Sequence, residues 1–126
     1  MDAEGLKALF EPFAPVTVRR MFGGAGVYAD DLCFAMEANG EVYVKVDAET
    51  QSAFEAAGSR PFIYLAQGKP KSMAYWLLVA EAYDDAEALH RWAGFGLDAA
   101  RRAAAEKAKK SKPVGGKPAK SRQKPR

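Results

Sequence analysis

The pair Asn39-Gly40 stands between two runs of alternating apolar residues, and this arrangement constrains the fold more than any other feature. An Asn-Gly pair readily adopts the left-handed backbone of a two-residue hairpin turn, so the flanking runs are expected to pair as antiparallel strands. The apolar positions recur at every second residue on both sides of the turn: Leu32, Phe34, Met36, Val42, Val44 and Val46. This spacing predicts two paired strands, each with one buried face.

The remaining segments extend this hairpin into a larger sheet. An alternating run over residues 16–29 is interrupted by glycines, and two further strands, Pro61–Ala66 and Met73–Val79, are joined by a polar turn over 67–72. Helical spacing predicts helices over residues 2–13, 48–57 and 84 to about 108. The element order is α-β-β-β-α-β-β-α, which predicts an α+β, two-layer fold with an antiparallel sheet of about five strands.

Local signals mark the ends of these helices. Asp2 and Asp47 are expected to cap the first two helices, and Gly58 follows the second where a left-handed residue is favoured. Asp84 and Glu87 have the spacing of a capping box at the start of the last helix. Each helix boundary therefore has a chemical reason in the sequence.

Charge divides the chain into two parts. Residues 1–106 contain all sixteen acidic residues and ten basic ones, a net charge of −6, whereas residues 107–126 contain nine basic residues and no acid. All fourteen aromatic residues also precede residue 107. We therefore expect one folded domain over residues 1–106 and a basic tail over 107–126, too poor in apolar residues to fold and expected to be disordered.

Composition also argues against several functional classes. No apolar run approaches the roughly 18 residues of a membrane span, and we expect a cytoplasmic protein with no membrane role. The lone Cys33 and the lone His90 leave no internal disulfide and no Cys- or His-rich metal site. The aspartate pairs at 30–31 and 84–85 lie where turns and helix caps favour aspartate. We predict no enzymatic activity, no metal and no cofactor.

Five segments carry distinctive combinations of aromatic, glycine and basic residues: Arg19–Tyr28, Phe34–Met36, Tyr43–Asp47, Gly58–Phe62 and Met73–Trp76. In order and spacing they resemble the N-terminal domain of the TfoX/Sxy competence regulators, over about residues 3–105. The resemblance implies a small antiparallel α+β domain and a non-enzymatic bacterial protein. Full-length members are associated with switching on DNA-uptake genes together with a cyclic-AMP receptor-type activator. They carry a second, helical domain where this chain has the basic tail.

One candidate surface for a protein partner combines basic, aromatic and glycine residues of the strands. It comprises Arg19, Arg20, Phe22, Gly23, Gly24, Lys45, Tyr75 and Trp76. Neighbouring strand residues point to opposite faces, so we expect one of the two arginines to be exposed and the other to lie on the helix-covered side. The alternative interpretation is structural, with the glycines at a tight turn, the lysine solvated and the aromatics buried.

The basic tail is the candidate contact for nucleic acid. Its basic residues are Lys107, Lys109, Lys110, Lys112, Lys117, Lys120, Arg122, Lys124 and Arg126. A mobile segment of this composition neutralises phosphates without reading base sequence. A tail that only keeps the protein in solution is the alternative.

These observations favour a regulatory or accessory protein whose acidic body binds a protein partner and whose basic tail contacts nucleic acid. Two alternatives stay open. The Arg19–Gly26 region could serve a small-ligand or enzymatic domain, which would require a deep pocket there. The chain could also be a protein-interaction module with no role in nucleic-acid binding.

Overall fold

The computed structural model describes residues 2–21 and 23–111. The strands are β1 (Thr17–Met21), β2 (Gly24–Ala29), β3 (Leu32–Ala38), β4 (Glu41–Lys45), β5 (Pro61–Ala66) and β6 (Lys69–Leu77). The helices are α1 (Ala3–Phe10), α2 (Gln51–Ala56) and α3 (Ala86–Ser111), and a short 3₁₀ helix, Ala80–Tyr83, links β6 to α3. The predicted α+β class is confirmed.

The six strands form one antiparallel sheet in the order β1-β2-β3-β4-β6-β5. The prediction of about five strands is one short, because the run over residues 16–29 folds as two strands that pair with each other. Gly23 lies in the two-residue link between them with a φ of +68°, a conformation that glycine adopts readily. Met21 therefore stands directly opposite Gly24.

Three hairpins turn through two residues that both have positive φ. The pairs are Asp30-Asp31, Asn39-Gly40 and Gln67-Gly68, with φ between 52° and 82°. The hairpin predicted at Asn39-Gly40 is confirmed. The predicted turn over residues 67–72 is too long, because Gln67-Gly68 closes the hairpin alone and β6 begins at Lys69.

The helix caps follow the predicted chemistry, with shifts in position. The Asp2 carboxylate accepts a hydrogen bond from the Gly5 amide at 2.8 Å, which confirms the cap of α1. Before α2, Asp47 instead caps the preceding turn by accepting from the Glu49 amide at 3.1 Å, so the helix begins only at Gln51. Gly58 follows α2 with a φ of +81°, as expected.

The cap of α3 lies one residue later than predicted. Asp85, and not Asp84, accepts hydrogen bonds from the amides of Glu87 at 2.9 Å and Ala88 at 3.5 Å. Asp84 is instead the C-cap residue of the 3₁₀ helix. Because Asp84 closes the 3₁₀ helix, the cap of α3 moves from Asp84 to Asp85.

Aromatic contacts tie all three helices to one face of the sheet. The ring of Phe10 in α1 lies 5.3 Å from the ring of Phe34 in β3. Phe54 of α2 lies 4.8 Å from Trp92 of α3. At Gly96, α3 comes so close to β3 that an added Cβ would meet the Phe34 carbonyl oxygen at 2.8 Å. The two predicted layers are therefore present, with the core between them.

A β-bulge changes the direction of the side chains in β3. Val27 stands opposite Ala35 and Tyr28 opposite Cys33, so Phe34 is left without a direct partner on β2. Phe34 and Ala35 are consecutive and both fully buried. The regular alternation predicted through β3 is therefore wrong at this point, because the bulge turns Phe34 into the core beside Ala35.

Helix α3 continues to Ser111, beyond the domain boundary predicted at residue 106. Alanine and lysine dominate its last turns, both are good helix formers, and the first proline after them is Pro113. Lys107, Lys109 and Lys110 therefore extend the folded domain as helix. The rest of the basic tail, residues 112–126, lies outside the described residues.

The two glycines of α3 provide a matched test of the packing between α3 and the sheet. Gly96→Ala should lower the free energy of unfolding by about 1–3 kcal/mol, because its Cβ would overlap the Phe34 carbonyl and the Val44 side chain. Gly94→Ala should raise it by about 0.5–1 kcal/mol, because no atom lies within 4 Å of the added Cβ. Chemical denaturation measures both; equal effects would contradict the close approach at Gly96.

Candidate partner-binding face

The face of the sheet opposite the helices brings together residues from five strands. Tyr28 stands opposite Cys33, and Lys45 stands opposite Tyr75. Arg19 reaches the same group from the edge strand β1, with its guanidinium carbon 4.7 Å from the centre of the Tyr28 ring. We call this group, Arg19, Tyr28, Cys33, Lys45 and Tyr75, the open face. Arg19 is exposed and the other four are half-buried.

Cation–π contacts position both basic groups of the open face. The Lys45 ammonium lies 5.2 Å from the centre of the Tyr75 ring, and Arg19 covers Tyr28 in the same way. Contacts of this kind contribute about 0.5–1 kcal/mol at exposed sites. They hold each cation above an aromatic ring.

A hydrogen bond links strands β6 and β3 within the open face. The Tyr75 hydroxyl donates to the Cys33 sulfur at 3.5 Å. Burial, and after it this hydrogen bond, raises the pKa of Tyr75 well above the ordinary 10.0 of a tyrosine. Tyr75 is therefore neutral at physiological pH and acts here as a donor.

Aromatic rings continue beside the open face towards β5. Phe62 packs at 5.1 Å against Tyr43 and stacks at 6.3 Å on Tyr64. Glu41 accepts hydrogen bonds from the Tyr43 hydroxyl at 3.1 Å and from Arg60 at 2.9 Å. Burial, and then the hydrogen bond to Glu41, raises the pKa of Tyr43. The acid nearest the open face on β4 is thus neutralised by an arginine.

The charges of the folded domain are segregated between the strands and the rest of the chain. The six strands contain five basic residues and two acidic ones, whereas the other fourteen acids lie in helices, turns and links. Of the two strand acids, Glu37 stands opposite the core residue Val42, on the helix-covered side. The open face is therefore basic although the folded domain is acidic overall.

The structure divides the other residues of the predicted surface. Arg20 stands opposite the buried Ala25, on the helix side of the sheet, yet both Arg19 and Arg20 are exposed. The two arginines therefore point to opposite faces as predicted, and Arg20 is exposed on the helix side because β1 is an edge strand. Trp76 is 9% exposed and belongs to the core, so it is not a surface anchor. Phe22 lies outside the described residues.

The glycines of the predicted surface are occupied by the fold itself. Gly23 supplies the positive φ of the β1–β2 turn. Gly24 is needed for a different reason, because a Cβ there would collide with the backbone oxygen of Glu37 on β3. At Gly26 the space is filled by the Tyr28 and Met21 side chains, at 3.0 and 3.1 Å from an added Cβ. These contacts favour the structural interpretation of the glycines.

The basic residues predicted to contact nucleic acid are only partly described. Lys107 and Lys109 are exposed on the last turns of α3, and Lys110 lies in the same helix. The remaining six lie outside the described residues: Lys112, Lys117, Lys120, Arg122, Lys124 and Arg126.

Two surface clefts in the described part of the chain lie away from the Arg19–Gly26 segment. One, of about 480 Å³, lies between the end of β4 and α3, and the other, of about 250 Å³, lies between α1 and the 3₁₀ helix. Cys33 lies on the open face, whereas His90 of α3 contacts the Pro12 carbonyl at 2.8 Å on the opposite side of the sheet. The two cannot form a nucleophile pair.

The described residues contain no cluster of histidine, cysteine or carboxylate groups able to hold a metal ion. Within the same residues, none of the helices has the length and apolar character needed to cross a bilayer.

An ion pair that local sequence patterns did not reveal closes one side of the larger cleft. Arg102 of α3 donates to both carboxylate oxygens of Asp47, at 2.6 and 3.1 Å, and lies 3.2 Å from Glu49. The hydrogen bond from Arg102 is the largest cause that lowers the pKa of Asp47 below 3.8. The two residues are 55 positions apart, so no local pattern relates them.

Sequence reasoning also missed Tyr28 and Cys33 as members of the open face. Alternation in β2 places Tyr28 on the face opposite the core residue Val27, so Tyr28 was predictable from the sequence. Cys33 has no comparable signal, since the bulge in β3 sets its direction.

Asp47→Asn should lower the free energy of unfolding by about 1 kcal/mol at pH 7, a modest value because both partners are partly exposed. The lowered pKa of Asp47 means that this stabilisation is present above pH 3.8 and is lost as the pH falls through the folded-state pKa. Urea denaturation of wild type and variant at pH 7 and near pH 3 should therefore show a difference that shrinks in acid.

Arg101→Gln is the matched control, because Arg101 forms a more exposed pair with Asp30 at 2.8 Å. Its effect should stay within about 0.5 kcal/mol. A pH-independent difference for Asp47→Asn would contradict the ion-pair explanation.

Comparison with known families gives one match. The model of the TfoX N-terminal domain matches residues 8–100 of the 126-residue chain. No curated protein sequence matches the chain significantly. The matched range includes every strand, α2 and all residues of the open face.

Proposed function

This chain belongs to the TfoX N-terminal domain family, and we propose that it is a non-enzymatic regulatory protein that binds a protein partner through the open face. The family supports a competence-related regulatory or accessory role in general. We further propose that it acts on the transcription of DNA-uptake genes in the bacterial cytoplasm.

One observation carries this proposal. Among residues 2–21 and 23–111 the sheet has helices on one side only, and the other side presents two cations held over tyrosine rings. A tyrosine ring supplies a large rigid contact area, and arginine and tyrosine are enriched among the residues that dominate binding energy. A sheet face with these side chains suits a macromolecular partner, while a small-molecule site requires a concave pocket.

Charge indicates which partner chemistry fits. Arg19 and Lys45 have no acidic side chain within ion-pair distance among the described residues. A partner with an acidic surface would neutralise both cations and approach faster through electrostatic steering. The open face therefore favours an acidic segment of another protein.

The basic tail gives the proposal its second component. Residues 107–126 contain nine basic residues and no acid, a composition that binds phosphate backbones without base specificity. We propose that the open face selects the protein partner while the basic tail holds the complex near nucleic acid. Each component can be removed separately.

The double variant Arg19→Glu/Lys45→Glu tests the open face. Reversing both charges should weaken the partner complex by about tenfold or more, because each cation would be replaced by a repelling charge. In cells that lack the endogenous gene, transcription of DNA-uptake genes should fall to near the level without the protein. Arg20→Glu is the matched control, since Arg20 is exposed on the same strand but faces the other side.

The comparison is valid only if both variants keep the thermal unfolding midpoint of the wild type. We expect this because none of the substituted residues, Arg19, Lys45 and Arg20, is fully buried. Full transcription with the double variant, or equal loss with Arg20→Glu, would contradict binding through the open face.

Replacing the six basic residues beyond Ser111 by glutamine tests the basic tail while leaving α3 intact. With about six charges engaged, log K for a labelled single-stranded or duplex oligonucleotide should fall with log salt at a slope of roughly −4 to −5. Fluorescence anisotropy of the six-site variant should show a slope near −1 to −2 from the remaining lysines of α3. An unchanged slope would contradict tail binding, and no binding by wild type would favour a pure protein-interaction module.

A further inference from the structure

The hairpin of β5 and β6 extends past the rest of the sheet. Strand β6 pairs with β4 through Tyr75, Trp76 and Leu77. Two backbone bonds flank this pairing, from the Val46 amide to the Ala74 carbonyl and from the Leu78 amide to the Val42 carbonyl, both at 2.9 Å. Residues 69–72 pair with β5 alone. We call residues 61–73 the arm. A two-stranded ribbon is marginally stable by itself in water, so the arm gains stability from any surface that pairs with it.

Exposed apolar side chains concentrate on the arm. Of the six large exposed hydrophobic side chains in the described chain, four lie there: Ile63, Tyr64, Leu65 and Met73. Leu65 is 73% exposed and Ile63 58% exposed, the two highest values of the set. Both are in β5, whose outer edge has no neighbouring strand in the part of the chain that the structure describes.

The two edge strands of the sheet differ in how they meet solvent. Strand β1 carries two adjacent exposed arginines, a usual protection against pairing with another strand. Strand β5 is six residues long and has no charged residue. Its proline is the first residue, Pro61, where the lack of an amide donor does not interrupt the rest of the edge. An apolar, unprotected edge of this length is typical of an interface between strands.

We propose that β5 is the interface through which two copies of this chain pair, antiparallel and edge to edge, into a two-fold dimer. A two-fold axis through Tyr64 places Ile63 of each copy opposite Leu65 of the other copy. Opposed residues in antiparallel strands share one face, so the two most exposed apolar side chains cover each other. The Tyr64 rings meet on the other face of the joined sheet.

Charge favours a second copy as the occupant of this edge. An uncharged strand can pair with itself without repulsion, whereas a charged partner strand would gain no complementary group from β5. The nearest cations, Lys69 and Lys71, lie on β6. The β6 strands of the two copies would be separated by about 14 Å, three strand spacings, which exceeds the Debye length of about 8 Å at physiological salt.

The dimer would also double the partner-binding surface. A two-fold axis perpendicular to the sheet leaves the open faces of both copies on the same side of a continuous twelve-stranded sheet. A partner with two acidic segments could then engage both copies, which raises the overall affinity without any new type of contact. The dimer itself does not depend on the proposed function.

Molar mass in solution tests the proposal. At about 100 µM, light scattering after size exclusion should give the full chain twice the 13.7 kDa of one copy. Ile63→Lys/Leu65→Lys should give the mass of one copy, because it places four charges in the two-fold contact. Met21→Lys is the matched control, since Met21 is 48% exposed on the other edge strand and should leave the dimer intact.

A wild-type mass of one copy would overturn the proposal, and so would a dimer that survives the double lysine variant with an unchanged dissociation constant. Binding of another protein to monomeric wild type through β5 would equally overturn it.

A cysteine probe tests the register. In a Cys33→Ser background, Tyr64→Cys should form an intermolecular disulfide under mild oxidation, because opposed residues at the axis have Cα atoms about 5 Å apart. Met21→Cys in the same background should stay unlinked. Absence of the Tyr64→Cys crosslink in a dimeric sample would overturn the pairing through this strand.

Discussion

The close packing of α3 against β3 and β4 is the contact on which the rest of the structure depends. Gly96 lets the helix reach the Phe34 carbonyl, and Phe54 and Phe10 attach α2 and α1 to the same layer. Because all three helices are used on one side, the other side of the sheet has no cover within the described chain. The open face is what this one-sided packing leaves exposed, and the β5 edge is exposed because β5 ends the strand order.

The bulge in β3 connects the core to the open face. Without it, Cys33 and Ala35 would point the same way, and either a core position or the contact with Tyr75 would be lost. With Phe34 as the extra residue, Ala35 stays buried under the helices while Cys33 stands beside Tyr28 and accepts the Tyr75 hydrogen bond. One inserted residue therefore serves both sides of the sheet.

The sequence predicted what depends on neighbouring residues and missed what depends on register. Asn39-Gly40 requires no distant partner to specify a turn, and alternation alone separates Trp76 from Tyr75, so these elements were predictable. The start of β6 was missed because a Gln-Gly pair is a weaker turn signal than Asn-Gly. The contact between Arg19 and Tyr28 depends on the β1–β2 register. The ion pair between Asp47 and Arg102 depends on where α3 packs, because the two residues are 55 positions apart in the sequence.

Net charge is a poor guide to this surface, and the reason is geometric. Acids favour helix N-termini and turns, where they cap amide groups, as Asp2, Asp47 and Asp85 do. Helices and turns therefore collect the acids, while the strands retain more bases than acids. An overall charge of −6 for residues 1–106 is thus compatible with a basic sheet face. Within about one Debye length, an approaching partner responds to that local face more than to the total.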